Sequence, residues 1–209
     1  MPGGDKRLGR GFFERPTLRV AQELIGMVLV DRRGGTNSAA RVVRLVEVEA
    51  YIGEKDPASH AAPGPTRRNR IMYGVPGLAY VYLIYGMYHC LNVVTEEDGF
   101  PAAALLRAAE PLEGSLEVNP RTGGQYRTDG PGKLCRALAL DLSINGLDLT
   151  DGPLYLADRN LRPKTIARSE RIGISAGAER LWRFYDPDSS YISTGKKPHP
   201  REKKTTSGI

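Results

Sequence analysis

The stretch LAYVYLIYGMYHCLNVVT, residues 78–95, decides the fold. Residues 78–85 and 88–95 are both rich in β-branched and aromatic side chains, which favour strands. Gly86 and Met87 lie between the two runs and predict a tight turn. Two strands joined by so short a turn run antiparallel, so the sequence predicts an antiparallel sheet that contains this hairpin.

The pattern of strands and helices extends outward from this hairpin in both directions. The further predicted elements are strands at 27–32, 41–51, 102–110, 154–157 and 166–172, and helices at 17–25 (with Thr17 as N-cap) and 132–140. Strands joined in hairpins, with few long helices between them, are typical of an α+β protein. We therefore predict a single domain with an antiparallel-rich mixed β-sheet, flanking helices and a protruding β-hairpin.

Length and charge suggest three parts. The 209 residues are 40% hydrophobic, enough for one sizeable core, which excludes a disordered chain. We predict a flexible Gly- and Arg-rich segment at 1–10, a folded domain at 11–195 and a disordered basic tail at 196–209. The tail has five basic residues and one acidic residue, so it supplies most of the net charge of +6. The charge of the body alone does not identify a nucleic-acid-binding protein.

Several other classes of protein are excluded. Cys90 and Cys135 have no zinc-like spacing and do not form a disulfide framework, so a reducing compartment is expected. Residues 1–13 contain no apolar run of the signal-peptide type. Residues 78–94 are too short and too polar to span a membrane. There is no glycine-rich phosphate loop, and we predict no bound metal.

Glu47, Glu49 and Tyr51 alternate along the predicted strand 41–51 and share one face if it stays extended. A carboxylate at a strand end, followed by a tyrosine and a long loop, is typical of the rim of a site. Alternatively, Glu47 and Glu49 are solvated charges on a half-exposed sheet. The alternation alone leaves both interpretations open.

Four tyrosines fall within residues 80–88. Tyr80 and Tyr82 share one strand face, whereas Tyr85 belongs to the other face and leads into the turn. A tyrosine ring with its polar tip suits a pocket for a flat heterocycle, and a tyrosine at a hairpin tip could wedge between stacked bases. The alternative is a core with tyrosines at its edge.

Asn92 and Arg107 interrupt otherwise apolar strands. A buried arginine needs a paired anion or a wet pocket, and Glu49 is a natural partner for Arg107. The pair could equally be structural. His60 lies in a loop of small residues, where it could donate a hydrogen bond to a substrate or simply be exposed.

A series of motifs runs along the chain: VEVEAY at 46–51, His60, RNR at 68–70, YVYLIYGMY at 80–88, Asn92, LLRAAEPLEG at 105–114, GPGKLC at 130–135 and RFY at 183–185. In this order, they resemble the motifs of the alkyladenine (3-methyladenine) DNA glycosylase family. The resemblance covers roughly residues 8–194.

The resemblance implies roles for individual residues. Glu49 would be the general base that activates water, Arg107 would hold that water and orient Glu49, and the backbone carbonyl of Ile192 would be a third water ligand. No metal or organic cofactor would be needed. The implied base pocket consists of Tyr51, His60, Tyr82, Asn92 and Leu105, and the implied DNA-binding residues are Tyr85, Met87, Tyr88, Arg68, Arg70 and Lys133.

Within the implied pocket, Tyr51 and Tyr82 would stack on a flipped purine, to which His60 would hydrogen-bond. Asn92 would disfavour purines with a guanine-type amino group. Tyr85 would fill the gap left in the duplex. Because an alkylated purine is cationic, it attracts tyrosine faces and leaves readily, so one ionised carboxylate could suffice. We expect Arg107 to keep the pKa of Glu49 low.

The function that the resemblance implies is hydrolytic excision of alkylated purines from duplex DNA, namely 3-methyladenine and 7-methylguanine, with hypoxanthine as a further candidate substrate. The enzyme would be a monofunctional, monomeric glycosylase whose partner is double-stranded DNA containing damaged purines, with no membrane partner. It would be cytoplasmic and nucleoid-associated in a bacterium, or nuclear in a eukaryote. Two alternatives stay open: a non-catalytic nucleic-acid-binding module and a hydrolase of free nucleosides.

Overall fold

The computed structural model describes residues 5–35 and 39–194, which form one open β-sheet with short helices packed against it. The strands are β1 (Lys6–Arg7), β2 (Val28–Asp31), β3 (Arg41–Ile52), β4 (Ala79–Ile84), β5 (Tyr88–Val94), β6 (Ala102–Glu113), β7 (Leu154–Asp158), β8 (Ala167–Ser169) and β9 (Arg183–Tyr185). The helices are α1 (Arg10–Phe13), α2 (Thr17–Glu23) and α3 (Pro131–Ala137), with 3-10 turns at Arg70–Tyr73 and Leu142–Ile144.

The strand order is β1-β7-β2-β3-β6-β5-β4, and β9 joins β3 and β8. The predicted α+β class is confirmed, and the pairings of the described strands are all antiparallel rather than mixed. β6 runs along one edge of β3, while β2 and β9 share the other edge. The long strands β3 and β6 therefore lie at the centre of the sheet, where their side chains are shielded from water.

A β-bulge in β3 determines which side chains face the core. Val43 and Leu45 belong to the main apolar cluster, but beyond them the core residues are Val48 and Ala50, so the alternation changes from odd to even numbers. The pairing with β6 shifts at this point, on both sides of Glu47. Because a bulge inserts one residue and turns the strand, Glu47 and the odd positions after it face away from that core.

The predicted hairpin is formed by β4 and β5, which pair from Ala79↔Val93 to Ile84↔Tyr88. Its tip holds Tyr85 (φ 53°) and Gly86 (φ 68°). Positive φ at two successive residues is the arrangement of a type I′ turn, which suits the twist of a hairpin. For Gly86 this conformation is free of strain, whereas for Tyr85 it carries a steric cost.

Three predicted boundaries are corrected. The segment 1–10 is not loose over residues 5–10, because Lys6 and Arg7 pair with β7. The first predicted helix ends at Glu23, and Thr17 is not its N-cap: the Thr17 hydroxyl donates to the Glu96 carboxylate at 2.7 Å instead. The strand predicted at 166–172 is limited to Ala167–Ser169.

The predicted basic tail, 196–209, lies outside the described residues. In the part of the chain that the structure describes, no helix is both long and apolar enough to cross a membrane.

Candidate active site

Two carboxylates lie buried beside one arginine at the centre of the sheet. Glu47 and Glu49 on β3 are both 0% exposed, so the alternative of solvated surface charges is wrong. Arg107 on β6 donates from Nε to Glu47 at 2.8 Å and from Nη1 to Glu49 at 3.1 Å. Each of the three charged groups therefore has an opposite charge in contact, which is the condition for burying it.

Glu49 accepts hydrogen bonds from three donors. The Tyr51 hydroxyl and Arg107 Nη1 reach Oε2, and the backbone N–H of Ile172 reaches Oε1 at 2.7 Å. Burial is the largest influence and raises the pKa of Glu49, although Arg107 and the other two donors work against it. The expectation that Arg107 keeps this pKa low is therefore wrong, because complete burial outweighs the guanidinium.

A cavity of about 480 Å³ opens beside this cluster and lies within the range of about 300–1,000 Å³ typical of small-molecule sites. Glu49 is behind its wall, and the three donors to Glu49 form part of that wall. The lining comprises Tyr51, Ala58, His60, Met72, Tyr80, Tyr82, Ile84, Tyr85, Tyr88, Cys90, Asn92, Ala103, Leu105, Arg107, residues 130–133 and residues 172–174. The predicted pocket residues Tyr51, His60, Tyr82, Asn92 and Leu105 are all included.

Aromatic rings form one side of the cavity. The rings of His60 and Tyr82 meet edge to face at 4.4 Å between centroids, and His60 Nδ1 is 2.8 Å from the Tyr80 hydroxyl. Burial, followed by the positive charge of Arg68, lowers the pKa of His60 to about 4. His60 is therefore neutral at physiological pH, and with Nδ1 paired to Tyr80, Nε2 is the nitrogen left for a ligand.

The floor of the cavity contains Asn92, which is 3% exposed. Its Nδ2 donates to the Tyr80 carbonyl at 3.0 Å, which fixes the orientation of the amide. Leu105 lies opposite Asn92 in the pairing of β5 with β6. The floor therefore offers one oriented amide against an apolar wall.

Of the predicted DNA-binding residues, Tyr85, Tyr88 and Lys133 line the cavity, whereas Met87, Arg68 and Arg70 do not. Tyr85 is 80% exposed and Met87 59% exposed at the hairpin tip, whereas Tyr88 packs against Gly132 of α3. Lys133 lines the cavity and forms an ion pair with Asp129 at 3.0 Å. The remaining pair, Arg68 and Arg70, is exposed; Arg68 reaches the Leu83 carbonyl, but Arg70 does not line the cavity.

Ile192 does not line the cavity. Its neighbour Ser193 donates from its backbone N–H to Glu47 at 2.6 Å, which draws this segment toward the carboxylates. The role of the Ile192 carbonyl as a water ligand stays a prediction.

A buried ion pair behind the cavity has no signal in the sequence. Asp56 and Arg171, 115 residues apart, are fully buried and meet at 2.6 and 2.8 Å. The Arg171 guanidinium also lies 4.7 Å from the centroid of the Tyr51 ring. Arg171 directly precedes Ile172, so the pair supports both Tyr51 and the N–H that reaches Glu49.

Within residues 5–35 and 39–194, no group of three or more His, Cys, Asp or Glu side chains could hold a metal ion. The arrangement combines the Arg107 guanidinium in the wall of an aromatic cavity with the Glu49 carboxylate buried behind it. An exposed tyrosine, Tyr85, lies at the tip of the β4–β5 hairpin.

Comparison with known proteins gives the class of the protein: a DNA glycosylase, an enzyme that cuts a base from its sugar. The chain belongs to the methylpurine-DNA glycosylase family, whose model, described as Methylpurine-DNA glycosylase (MPG), matches residues 11–190. The resemblance in the motifs is thus confirmed. Family membership gives the chain a role in DNA repair, with DNA as its substrate.

Curated relatives agree with this assignment, and three of them bear the name "Putative 3-methyladenine DNA glycosylase". The protein from Methanocella arvoryzae is 49% identical over 89% of this chain and 95% of its own length. Those from Desulfitobacterium hafniense and Myxococcus xanthus are 46% and 47% identical, over 90% and 93% of this chain and 98% and 97% of their own lengths.

Proposed function

We propose that this chain, acting as a monomer, flips alkylated purines such as 3-methyladenine and 7-methylguanine out of duplex DNA. A water activated by Glu49 then hydrolyses the glycosidic bond and leaves an abasic site. The observation that carries the proposal is the Glu49–Arg107 contact at 3.1 Å behind the wall of an aromatic cavity. A module that only binds nucleic acid has no need of a buried carboxylate, which costs free energy to maintain.

The hydrogen bonds of Glu49 leave one acceptor position of the carboxylate unused by the protein. A carboxylate has about four acceptor positions, and the Tyr51 hydroxyl, Arg107 and the Ile172 N–H occupy three of them. We propose that the nucleophilic water occupies the fourth. Glu49 would take a proton from this water as its oxygen attacks the sugar carbon, and the base would leave with the electrons of the glycosidic bond.

The cavity suits a cationic flat ring. The faces of Tyr51 and Tyr82 attract a positively charged purine, while the neutral His60 can donate a hydrogen bond without repelling it. A neutral base such as hypoxanthine would bind to the same surfaces but would need a proton to leave, so we propose that it is a poorer substrate.

We propose that the reaction stops at the abasic site. A lyase step needs a neutral lysine amine that attacks the sugar. Lys133 on α3 lines the cavity, but its Nζ is paired with Asp129 at 3.0 Å and is not directed at a substrate sugar as a free nucleophile would be.

The test is purine release, measured on methylated duplex DNA, on unmethylated duplex and on free methylated nucleosides. We expect release from methylated duplex alone, with no strand cleavage at neutral pH and no adduct trapped by borohydride. Binding without release would indicate the non-catalytic module, and efficient release from nucleosides would indicate the nucleoside hydrolase. A borohydride-trapped adduct would refute the monofunctional mechanism.

The raised pKa of Glu49 predicts the pH dependence of the reaction. A general base works only when ionised, so activity declines as the pH falls through the pKa of Glu49, which burial places above its ordinary value of 4.5. His60, with a pKa of about 4, loses its neutral form only at lower pH. We therefore expect the acidic limb of the single-turnover rate to have its midpoint above pH 4.5. A midpoint at or below 4.5 would contradict this.

Replacing Tyr85 tests whether the tip of the β4–β5 hairpin contacts duplex DNA, with little risk to the fold. Replacing Tyr85 with Asn removes an exposed ring and substitutes a residue that tolerates positive φ better. A lost base-stacking contact of about 1–3 kcal/mol should weaken binding to abasic-site DNA about 5- to 150-fold, while the thermal midpoint is unchanged or higher. Leu142→Asn, at another exposed apolar position, is the control, and unaltered DNA binding by the Tyr85 variant would exclude the proposed role.

A further inference from the structure

Glu47 is the most heavily hydrogen-bonded carboxylate of the site, although it does not line the cavity. It accepts from Arg107 Nε at 2.8 Å, Arg183 Nε at 2.7 Å, and the N–H and hydroxyl of Ser193 at 2.6 and 2.7 Å. These donors come from β6, from β9 and from the segment after β9. The proposed chemistry assigns Glu47 no step, yet three parts of the chain converge on it.

The Arg107 guanidinium donates hydrogen bonds to both carboxylates. Its Nε faces Glu47, its Nη1 faces Glu49, and its Nη2 donates to the Ser193 hydroxyl at 3.2 Å. The contact with Glu47 is shorter by 0.3 Å than the contact with Glu49. With Arg183 included, the cluster contains two buried carboxylates and two buried guanidiniums, so its formal charge is zero.

We propose that Glu47 is a positioning residue for base excision: it holds Arg107 to one side and shares its positive charge, so that Glu49 stays a stronger base than a simple Glu–Arg pair would allow. The proposal rests on the proposed function, since it concerns the group that activates water there. It explains why a second acid is buried at high cost beside the base without reaching the cavity.

The electrostatics of the cluster support this division. Burial works to raise the pKa of Glu47, but Arg107 and Arg183 outweigh it and the pKa is lowered. Burial raises the pKa of Glu49, and the negative charge of Glu47 adds to that increase. The groups that interact electrostatically with Glu49 are Glu47 and Tyr51 on β3, Arg107 on β6, Tyr82 on β4 and Cys90 on β5. Of these, Glu47 is the one whose negative charge opposes Arg107.

The first test is Glu47→Gln, measured as the single-turnover rate of 7-methylguanine release against pH. Arg107 then has one anionic partner, Glu49, which becomes easier to ionise and weaker as a base. We expect the acidic limb to move to lower pH and the plateau rate to fall on the order of tenfold, with the affinity for abasic-site DNA retained. A purely structural role would lower thermal stability without moving the limb, and an unmoved limb or one at higher pH overturns the proposal.

Arg183→Gln provides the opposite test. This change removes the cation that pairs with Glu47. Glu47 then attracts Arg107 more strongly, so the ionised form of Glu49 is less stabilised. We expect the acidic limb to move to higher pH, and the double variant Glu47→Gln/Arg183→Gln to return it toward the wild-type position. If Glu47→Gln does not fold, Arg183→Gln decides by itself. Shifts of the same sign in both single variants overturn the proposal.

The wild-type chain and Glu49→Gln separate failure of this inference from failure of the proposed function. No release by the wild-type chain, or undiminished release by Glu49→Gln, refutes the proposed function and the inference with it. Release that depends on Glu49 but has a limb insensitive to Glu47 refutes the inference alone.

Discussion

Replacing Glu49 with Gln is expected to lower single-turnover base release from methylated duplex DNA by about 10²- to 10⁴-fold, the contribution typical of a positioned general base. Gln has nearly the same shape and keeps a carbonyl oxygen for the Ile172 N–H or Arg107, but it cannot take a proton from water. Affinity for DNA with an abasic analogue should change little, because Glu49 lies behind the cavity wall.

Glu97→Gln is the matched control, since it makes the same chemical change at an exposed side chain. It should leave both rate and binding unchanged. The thermal midpoint of the Glu49 variant must be measured in parallel, because Arg107 loses one of its two anionic partners there. Near wild-type turnover by a folded Glu49 variant would refute the base assignment, and equal losses of rate and of abasic-site affinity would point to binding instead.

The sequence predicted those parts of the fold that depend on local pattern. The β4–β5 hairpin and the strands β2, β3 and β6 follow from strand-forming runs separated by turn residues, and the structure contains all of them. The pattern did not reveal β1, because Lys6 and Arg7 form a strand only through pairing with β7. Likewise, Thr17 looked like an N-cap, but a distant carboxylate, Glu96, binds its hydroxyl. Long-range partners of this kind leave no local trace.

The candidate site was predictable to a similar extent. Alternation placed Glu47, Glu49 and Tyr51 on one face, and the structure brings all three to Arg107 or to the cavity. The bulge that turns this face away from the core depends on the register with β6, which the sequence does not specify. The direction of the pKa shift of Glu49 was mispredicted for the same reason: an acid–arginine pair suggests a lowered pKa, and only three-dimensional burial reverses it.

The site is assembled from segments that lie far apart in the sequence. Glu49 and Tyr51 share β3, Arg107 comes from β6, and the Ile172 N–H comes from a loop that Arg171 ties to Asp56. The position of Glu49 therefore depends on residues that do not line the cavity, because these residues hold the groups that donate hydrogen bonds to Glu49. The Asp56–Arg171 pair is therefore the place where stability and catalysis should be coupled.

Breaking that pair with Asp56→Asn should lower the free energy of unfolding by about 3–5 kcal/mol, the cost of leaving a buried charge without its partner. Both side chains are 0% exposed, and Asp56 also accepts from the backbone N–H groups of Ile52 and Ala58. Because Arg171 supports Tyr51 and Ile172, base release by the folded fraction should fall as well.

Urea unfolding measures the first effect, and single-turnover release below the transition measures the second. Arg19→Gln is the control: it breaks the Arg19–Glu23 ion pair, in which the arginine side chain is 64% exposed, and should cost no more than about 0.5 kcal/mol. If Asp56→Asn costs as little as this control, Arg171 has found another partner or solvent, and the pair does not stabilise the site. If stability falls as expected while the rate per folded molecule is unchanged, the ion pair stabilises the fold without positioning Glu49.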